Sequence, residues 1–299
     1  MITYPRVRDY FVHHWKGELS LPVSYWINGT VAGLGVVAVM TAAGNALAEL
    51  STPQWILVGV CAIWTLATIF TVWQLVGIWR SAGQYRKRRG NAFWSFAARA
   101  AVVFGSLASL NQLFAVAAPG IFELTKIVRG DEDYGPYQLR VLNSGIELAL
   151  EGPIKFGLPE EVDLLLRANP RINTIHLTSK GGRINPARKL RKLIVERGLK
   201  TYVSTECESA CTFAFVGGAE RLISSSAKLG FHQPHFPGLM PYQARLETRA
   251  DEVYMASRGV NRTFIERAFS TDSSTMWYPS RTELFEAKFV DRLADLNDL

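Results

Sequence analysis

Cysteine is scarce, with three in 299 residues, which excludes a small scaffold stapled by disulfides. Charge is scarce only in one place. The chain holds 33 Lys/Arg and 26 Asp/Glu, yet only 9 of the former and 3 of the latter lie in the first 120 residues. The net charge of +7 therefore belongs mainly to the front, and the remaining residues are nearly neutral. That excludes a basic nucleic-acid-binding domain as the origin of the charge, so no nucleic-acid partner is expected. Internal repeats and low-complexity segments are absent. Aromatic residues make up 11% of the chain, which excludes a disordered one.

What the front half has instead is three uncharged runs: Leu19 to Ala48, Leu50 to Trp79 and Ala100 to Phe122. A bilayer-spanning helix needs roughly 20 such residues. The cores read as Val31 to Leu47 and Ile56 to Ile78, with Glu49 to Pro53 as a tight hairpin. The third run carries Asn111 and Gln112 near its middle, and a buried or interfacial helix is its alternative reading. The first run starts too late and is too long for a cleaved signal peptide. Lys and Arg in short loops set the orientation. The leader carries Arg6, Arg8 and Lys16, and the first hairpin carries none. The second loop carries Arg80, Arg86, Lys87, Arg88 and Arg89, with Arg99 at its edge. This predicts a multi-pass protein of a bacterial-type inner membrane with a cytoplasmic N-terminus and a periplasmic C-terminal domain. The lipid bilayer is then a partner, and Tyr10, Phe11, Val12, Trp15 and Trp26 suit an interfacial segment. The expected organisation is a membrane domain with three transmembrane helices over 1–122, a linker over 123–136 and a soluble domain over 137–299.

The soluble half alternates strands and helices. Tyr137 to Leu142, Ile146 to Leu150, Asn173 to Thr178 and Thr201 to Ser204 read as strands. Glu160 to Ala168 and Pro186 to Arg197 read as helices. That alternation predicts right-handed βαβ units around a largely parallel sheet. Arg188, Lys189, Arg191 and Lys192 read as a solvated helix face.

Candidate chemistry gathers at three places. Ser209, in Cys207-Glu208-Ser209-Ala210-Cys211, follows a strand and opens an apolar helical run. A hydroxyl beside free backbone N–H groups and a positive helix end suits a nucleophile whose intermediate carries an oxyanion. A plain N-cap is the bland alternative. Gly181-Gly182, directly after a strand, is a turn that presents backbone amides without side chains in the way. Gly230-Phe231-His232-Gln233-Pro234 follows, with His232 23 residues beyond Ser209.

Taken together, strand-Ser-x-Gly-Gly, a Ser at a helix start and His-Gln-Pro resemble the proteolytic subunit of the Clp proteases and the crotonase-like superfamily. The resemblance covers roughly residues 137–295 and is nearest to membrane-anchored or periplasmic members. Together with the three uncharged runs, it implies N-terminal transmembrane α-helices followed by an α/β Clp/crotonase-like domain, acting as a serine peptidase. It also implies a peptide or protein substrate, no cofactor, no metal, and a homo-oligomer. Ser209 is then the nucleophile and His232 the general base. Gly182 and Ala210 supply the oxyanion N–H groups, and Gly181 permits the turn. The family's orienting Asp position falls on Met276, a departure from the pattern. Asp272, four residues away, is the candidate third member or else an ordinary loop residue.

A Ser–Lys dyad would need a lysine after the nucleophile helix. Lys228 and Lys180 are not placed there. His235 sits in a bend between Pro234 and Pro237, and His176 reads as a packed strand residue. Cys207 and Cys211 lack the further ligands of a zinc site. They are either a short disulfide fixing the nucleophile turn or two small buried thiols. Two other functions compete with the peptidase: a catalytically inactive Clp-like binding or assembly module at the membrane, and a crotonase-type acyl-CoA enzyme. The second does not need a Ser and a His at these positions.

Overall fold

The computed structural model describes residues 7–48, 52–235 and 241–294. The hairpin predicted over Glu49 to Pro53 lies largely outside them. The chain divides into two compact units, Met1–Val128 and Arg129–Leu299.

The first unit is helical. A short helix α1 (Val7–Lys16) precedes a π-helical stretch (Val23–Val31) that runs into α2 (Ala32–Ala48). Next come α3 (Pro53–Lys87) and α4 (Ala92–Gln112), then a π-helical turn and α5 (Ala118–Val128). Three of these rods, Val23–Leu47, Pro53–Lys87 and Ala92–Val128, are long and apolar enough to cross a membrane. Helix α3 outruns its uncharged core: the basic stretch from Arg80 through Lys87 is helical, since nothing there breaks the repeat before the positive-φ turn at Arg89. The third rod likewise runs through residues 123–128, which sequence reading gave to the linker. Glu123 and Lys126 pair one turn apart there, and Gly130 ends the helical path. Leu21, Ile78, Ala82, Ala98 and Val102 form the interior. His14 is fully buried, lying against Gly77 with its ring 4.3 Å from that of Trp73.

The second unit is α/β. Its main sheet has the order β1-β2-β3-β4-β6-β8. The strands are β1 (Gln138–Leu142), β2 (Glu147–Glu151), β3 (Thr174–Thr178), β4 (Lys200–Val203), β6 (Arg221–Ile223) and β8 (Arg292–Leu293). Only the β1–β2 pairing is antiparallel; each later neighbour is parallel. Leu148, Leu150, Ile175, Leu177, Val203 and Ile223 point from alternate positions into one core. Against them pack α6 (Leu158–Ala168), α7 (Ile184–Glu196), α8 (Ala210–Phe215), α10 (Arg262–Ser270) and α11 (Arg281–Glu286).

Helix α7 departs from its expected solvated face. Lys189 and Lys192 are exposed, but Arg188 and Arg191 turn toward α9 (Pro241–Ser257). There they share Asp251, which is 1% exposed. A buried carboxylate needs such partners, and the helix period alone does not reveal them.

The feature that positions chemistry is a second, shorter layer. Strands β5 (Glu206–Glu208) and β7 (Lys228–Gly230) pair in parallel. Isolated bridges Ile154↔Gly182, Ser179↔Cys207 and Phe231↔Trp277 extend the layer on both sides. The segments that follow β2, β3, β4 and β6 thus bend into this layer, and their tips lie side by side.

Candidate active site

Ser209 leaves the end of β5, and its backbone N–H donates to Gly230 O at 2.9 Å, extending the β5–β7 pairing by one bond. His232 lies two residues beyond Gly230. Neighbouring strands of one layer therefore bring together residues 23 apart in sequence. His232 Nε2 lies 2.6 Å from Ser209 Oγ. The other ring nitrogen, Nδ1, is 2.8 Å from Gln233 O. A carbonyl only accepts, so Nδ1 carries the proton and the lone pair of Nε2 faces the serine hydroxyl. That is the tautomer a general base requires.

The loop bearing His232 is tied on both flanks. Phe231 and Trp277 exchange two backbone bonds of 2.9 Å, and Gln233 N–H donates to Thr271 O at 2.8 Å. Beneath it the rings of Phe231, Phe264, Trp277 and Phe289 pack together.

The helix α8 starts at Ser209, but the serine does not cap it: its side chain makes no capping bond, and its backbone sits at φ 53°, ψ −124°. Such a conformation costs a non-glycine residue on the order of 1–3 kcal/mol and is characteristic of functional sites. It aims Oγ at His232 rather than at its own helix. Cys207 in β5 and Cys211 in α8 are joined by a disulfide across this bend, with Cα atoms 5.3 Å apart. Cys207 precedes the bend and Cys211 lies in the helix after it, so the bond takes the first of the two readings left open, a short disulfide at this turn. The chain reverses between them at Ser209.

Gly181 (φ 102°) and Gly182 (φ 140°) lie against the same bend. A Cβ at Gly181 would stand 2.8 Å from Ser209 Cβ and 3.1 Å from Ala210 N. Among the described residues the N–H groups of Gly182 and Ala210 have no hydrogen-bond partner. Unspent donors next to a serine are what a developing oxyanion needs.

Asp272 is not brought to the histidine. It is exposed, and its Oδ1 accepts from the backbone N–H (2.8 Å) and hydroxyl (2.6 Å) of Ser274. Those two bonds hold its carboxyl below the usual range. Met276, where the motif resemblance predicts an acid, packs its thioether over Gly230. The Nδ1 partner of His232 is instead the carbonyl of Gln233, which has no side-chain signature for sequence reading to find.

His176 sits buried in β3, with Nε2 3.0 Å from Glu147 Oε2 and its ring edge-on to Tyr202. His235 is exposed, as are Lys180 and Lys228. A further residue near Ser209 is Tyr278, whose hydroxyl donates to Glu208 Oε1 at 2.8 Å; that bond raises the phenol above its usual value. Among the described residues no cluster of three or more His, Cys, Asp or Glu is arranged to hold a metal ion.

No protein-family model matches the chain, and no curated protein does. Among solved structures the chain is similar to ClpP1 from Listeria monocytogenes, at 17% identity and a TM-score of 0.45. That likeness covers 51% of this chain and 92% of that one. A mutant of the same protein gives 17% identity and a TM-score of 0.42, covering 52% of this chain and 94% of the other.

Proposed function

We propose that the chain is a membrane-anchored serine peptidase. The observation that carries this reading is the 2.6 Å approach of His232 Nε2 to Ser209 Oγ, with Nδ1 held by a carbonyl. Ser209 Oγ attacks the scissile carbonyl while His232 Nε2 takes its proton. The carbonyl oxygen, now an anion, is received by the N–H groups of Gly182 and Ala210. His232 then protonates the leaving amine, the C–N bond breaks, and an acyl-serine forms. Water, deprotonated by the same nitrogen, hydrolyses that ester and restores Ser209.

Membrane anchoring is supported by the three apolar rods and by the many large apolar side chains they leave exposed, among them Leu34, Val37, Leu66, Phe96 and Phe104. Basic residues in the leader and between the second and third rods favour a cytoplasmic N-terminus and a periplasmic catalytic unit. The Cys207–Cys211 disulfide agrees with an oxidising compartment. Assembly into a homo-oligomer follows from the motif resemblance and is part of the same proposal.

A fluorophosphonate probe applied to membranes containing the full chain tests the chemistry. Wild-type protein is expected to label at Ser209, whereas Ser209→Ala and His232→Ala are expected not to. Absence of labelling on intact wild-type protein would sink the peptidase and leave an inactive binding or assembly module. Topology is tested separately. A reporter fused at Leu299 is expected to read periplasmic and one after Arg89 cytoplasmic, and a cytoplasmic signal at Leu299 would overturn the three-span orientation.

A further inference from the structure

Residues 129–137, which lead into β1, are fastened to the glycine turn at several points. Asp131 is 2% exposed and adopts φ 52°. Its Oδ1 accepts from Arg183 Nε at 3.0 Å and also from Arg183 Nη2. Arg183 is the residue directly after Gly182, and its side chain lies under the ring of Tyr134, 5.3 Å from the centroid. On the other side of the turn, Lys155 Nζ donates to Gly130 O (3.1 Å) and Gly135 O (3.0 Å). Pro136 and Tyr137 pass so close to Gly152 that a Cβ there would stand 2.8 Å from Pro136 O.

These contacts converge on the two strands that hold Gly182. Ile154 N–H donates to Gly181 O at 2.8 Å, and Arg183 N–H donates to Ile154 O at 2.7 Å. Gly182 lies between those two bonds, so its own amide direction is set by how firmly Ile154 and Arg183 are held. Glycine contributes no side chain of its own to fix that direction. The buried carboxylate of Asp131 is the anchor on the Arg183 side, and Lys155 is the anchor on the Ile154 side.

We propose that Asp131 is a positioning residue: its ion pair with Arg183 fixes the glycine turn and thereby the oxyanion-binding amide of Gly182. The catalytic part of this role rests on the peptidase reading, whereas the mechanical part does not. A segment upstream of β1 thus completes the site, and it does so through a charge pair taken largely out of solvent, where removing one partner has a large effect.

The test uses the full chain in detergent micelles with Asp131→Asn, which keeps the shape and tolerates positive φ, and Arg183→Lys, which keeps the charge but loses the fork. Arg140→Met, breaking an exposed pair with Glu151, is the control. Two quantities are read: hydrogen exchange at the Ile154 and Arg183 amides, and the rate and affinity terms of fluorophosphonate labelling. Exchange at those two amides is expected to quicken roughly tenfold in both variants, with β3 unchanged. The maximal labelling rate is expected to fall about tenfold, with probe affinity unchanged. Unchanged exchange at the two amides overturns the proposal. So does acceleration spread evenly through β3 and β4, which would mark a general stability role, and so does local loosening without loss of labelling rate. If wild-type protein itself fails to label while the two amides still loosen selectively, the peptidase reading falls and the anchoring of the turn stands.

Discussion

Replacing Gly182 by alanine separates backbone conformation from collision. Ala at Gly182 must adopt φ 140°, and its Cβ would stand 2.2 Å from Ile154 O and 2.9 Å from Ile154 N. Both are backbone atoms of the strand that brackets the turn, so neither can swing aside. Gly198 is the comparison. It has φ 61° with open space around its missing Cβ. There the left-handed conformation costs about 1–2 kcal/mol, offset in part by the stiffer unfolded chain, for a net loss near 1 kcal/mol. At Gly182 the backbone strain of about 1–3 kcal/mol is joined by about 1–3 kcal/mol of overpacking, for a net loss of about 3 kcal/mol. For a unit of this size 1 kcal/mol moves Tm by roughly 2–4 °C. Gly182→Ala should therefore melt roughly 6–12 °C below wild type, and Gly198→Ala only a few degrees below. Relief of the collision needs a shift of about 1 Å, enough to turn the Gly182 amide away from the oxyanion; losing one such donor costs about 10²–10³ in rate. Calorimetry of the full chain in micelles and fluorophosphonate labelling below the melting range supply the two readings. If Gly182→Ala is no less stable than Gly198→Ala, or labels at the wild-type rate, the placement of Gly182 in the oxyanion site is wrong.

Asp272→Asn is expected to leave the labelling rate within about twofold of wild type, because the exposed carboxylate bonds Ser274 rather than His232. A fall of 100-fold or more would restore Asp272 as the third catalytic member. Burial holds the His176 imidazole below its usual pKa, with Glu147 opposing that shift. The unfolded chain then binds the proton first as pH falls, so this contribution to stability is complete above about pH 6.5 and is lost below it. Thermal midpoints should drop between about pH 7 and pH 5 for wild type and less for His176→Gln, while a midpoint rising toward acid would contradict the sign.

Much of the architecture is legible in residue order because it is local. Long gaps between charges mark the three apolar rods, and period-two and period-3.6 patterns mark β2, β3, β4, α6 and α7 within a residue or two. Gly181-Gly182, Ser209 and His232 also stand out singly, since each is an unusual residue type at a strand or helix end. What joins them is not local. Only the second layer, in which Glu206–Glu208 pairs with Lys228–Gly230, brings Ser209 to His232, and only the fold bends Ser209 to positive φ so that its hydroxyl leaves the helix it begins. The inward turn of Arg188 and Arg191 depends on Asp251 arriving from a helix about sixty residues away. The partner of His232 Nδ1 is a backbone carbonyl, a group every residue carries. Residue order therefore marks the groups able to do chemistry, while strand pairing and burial determine which of them meet.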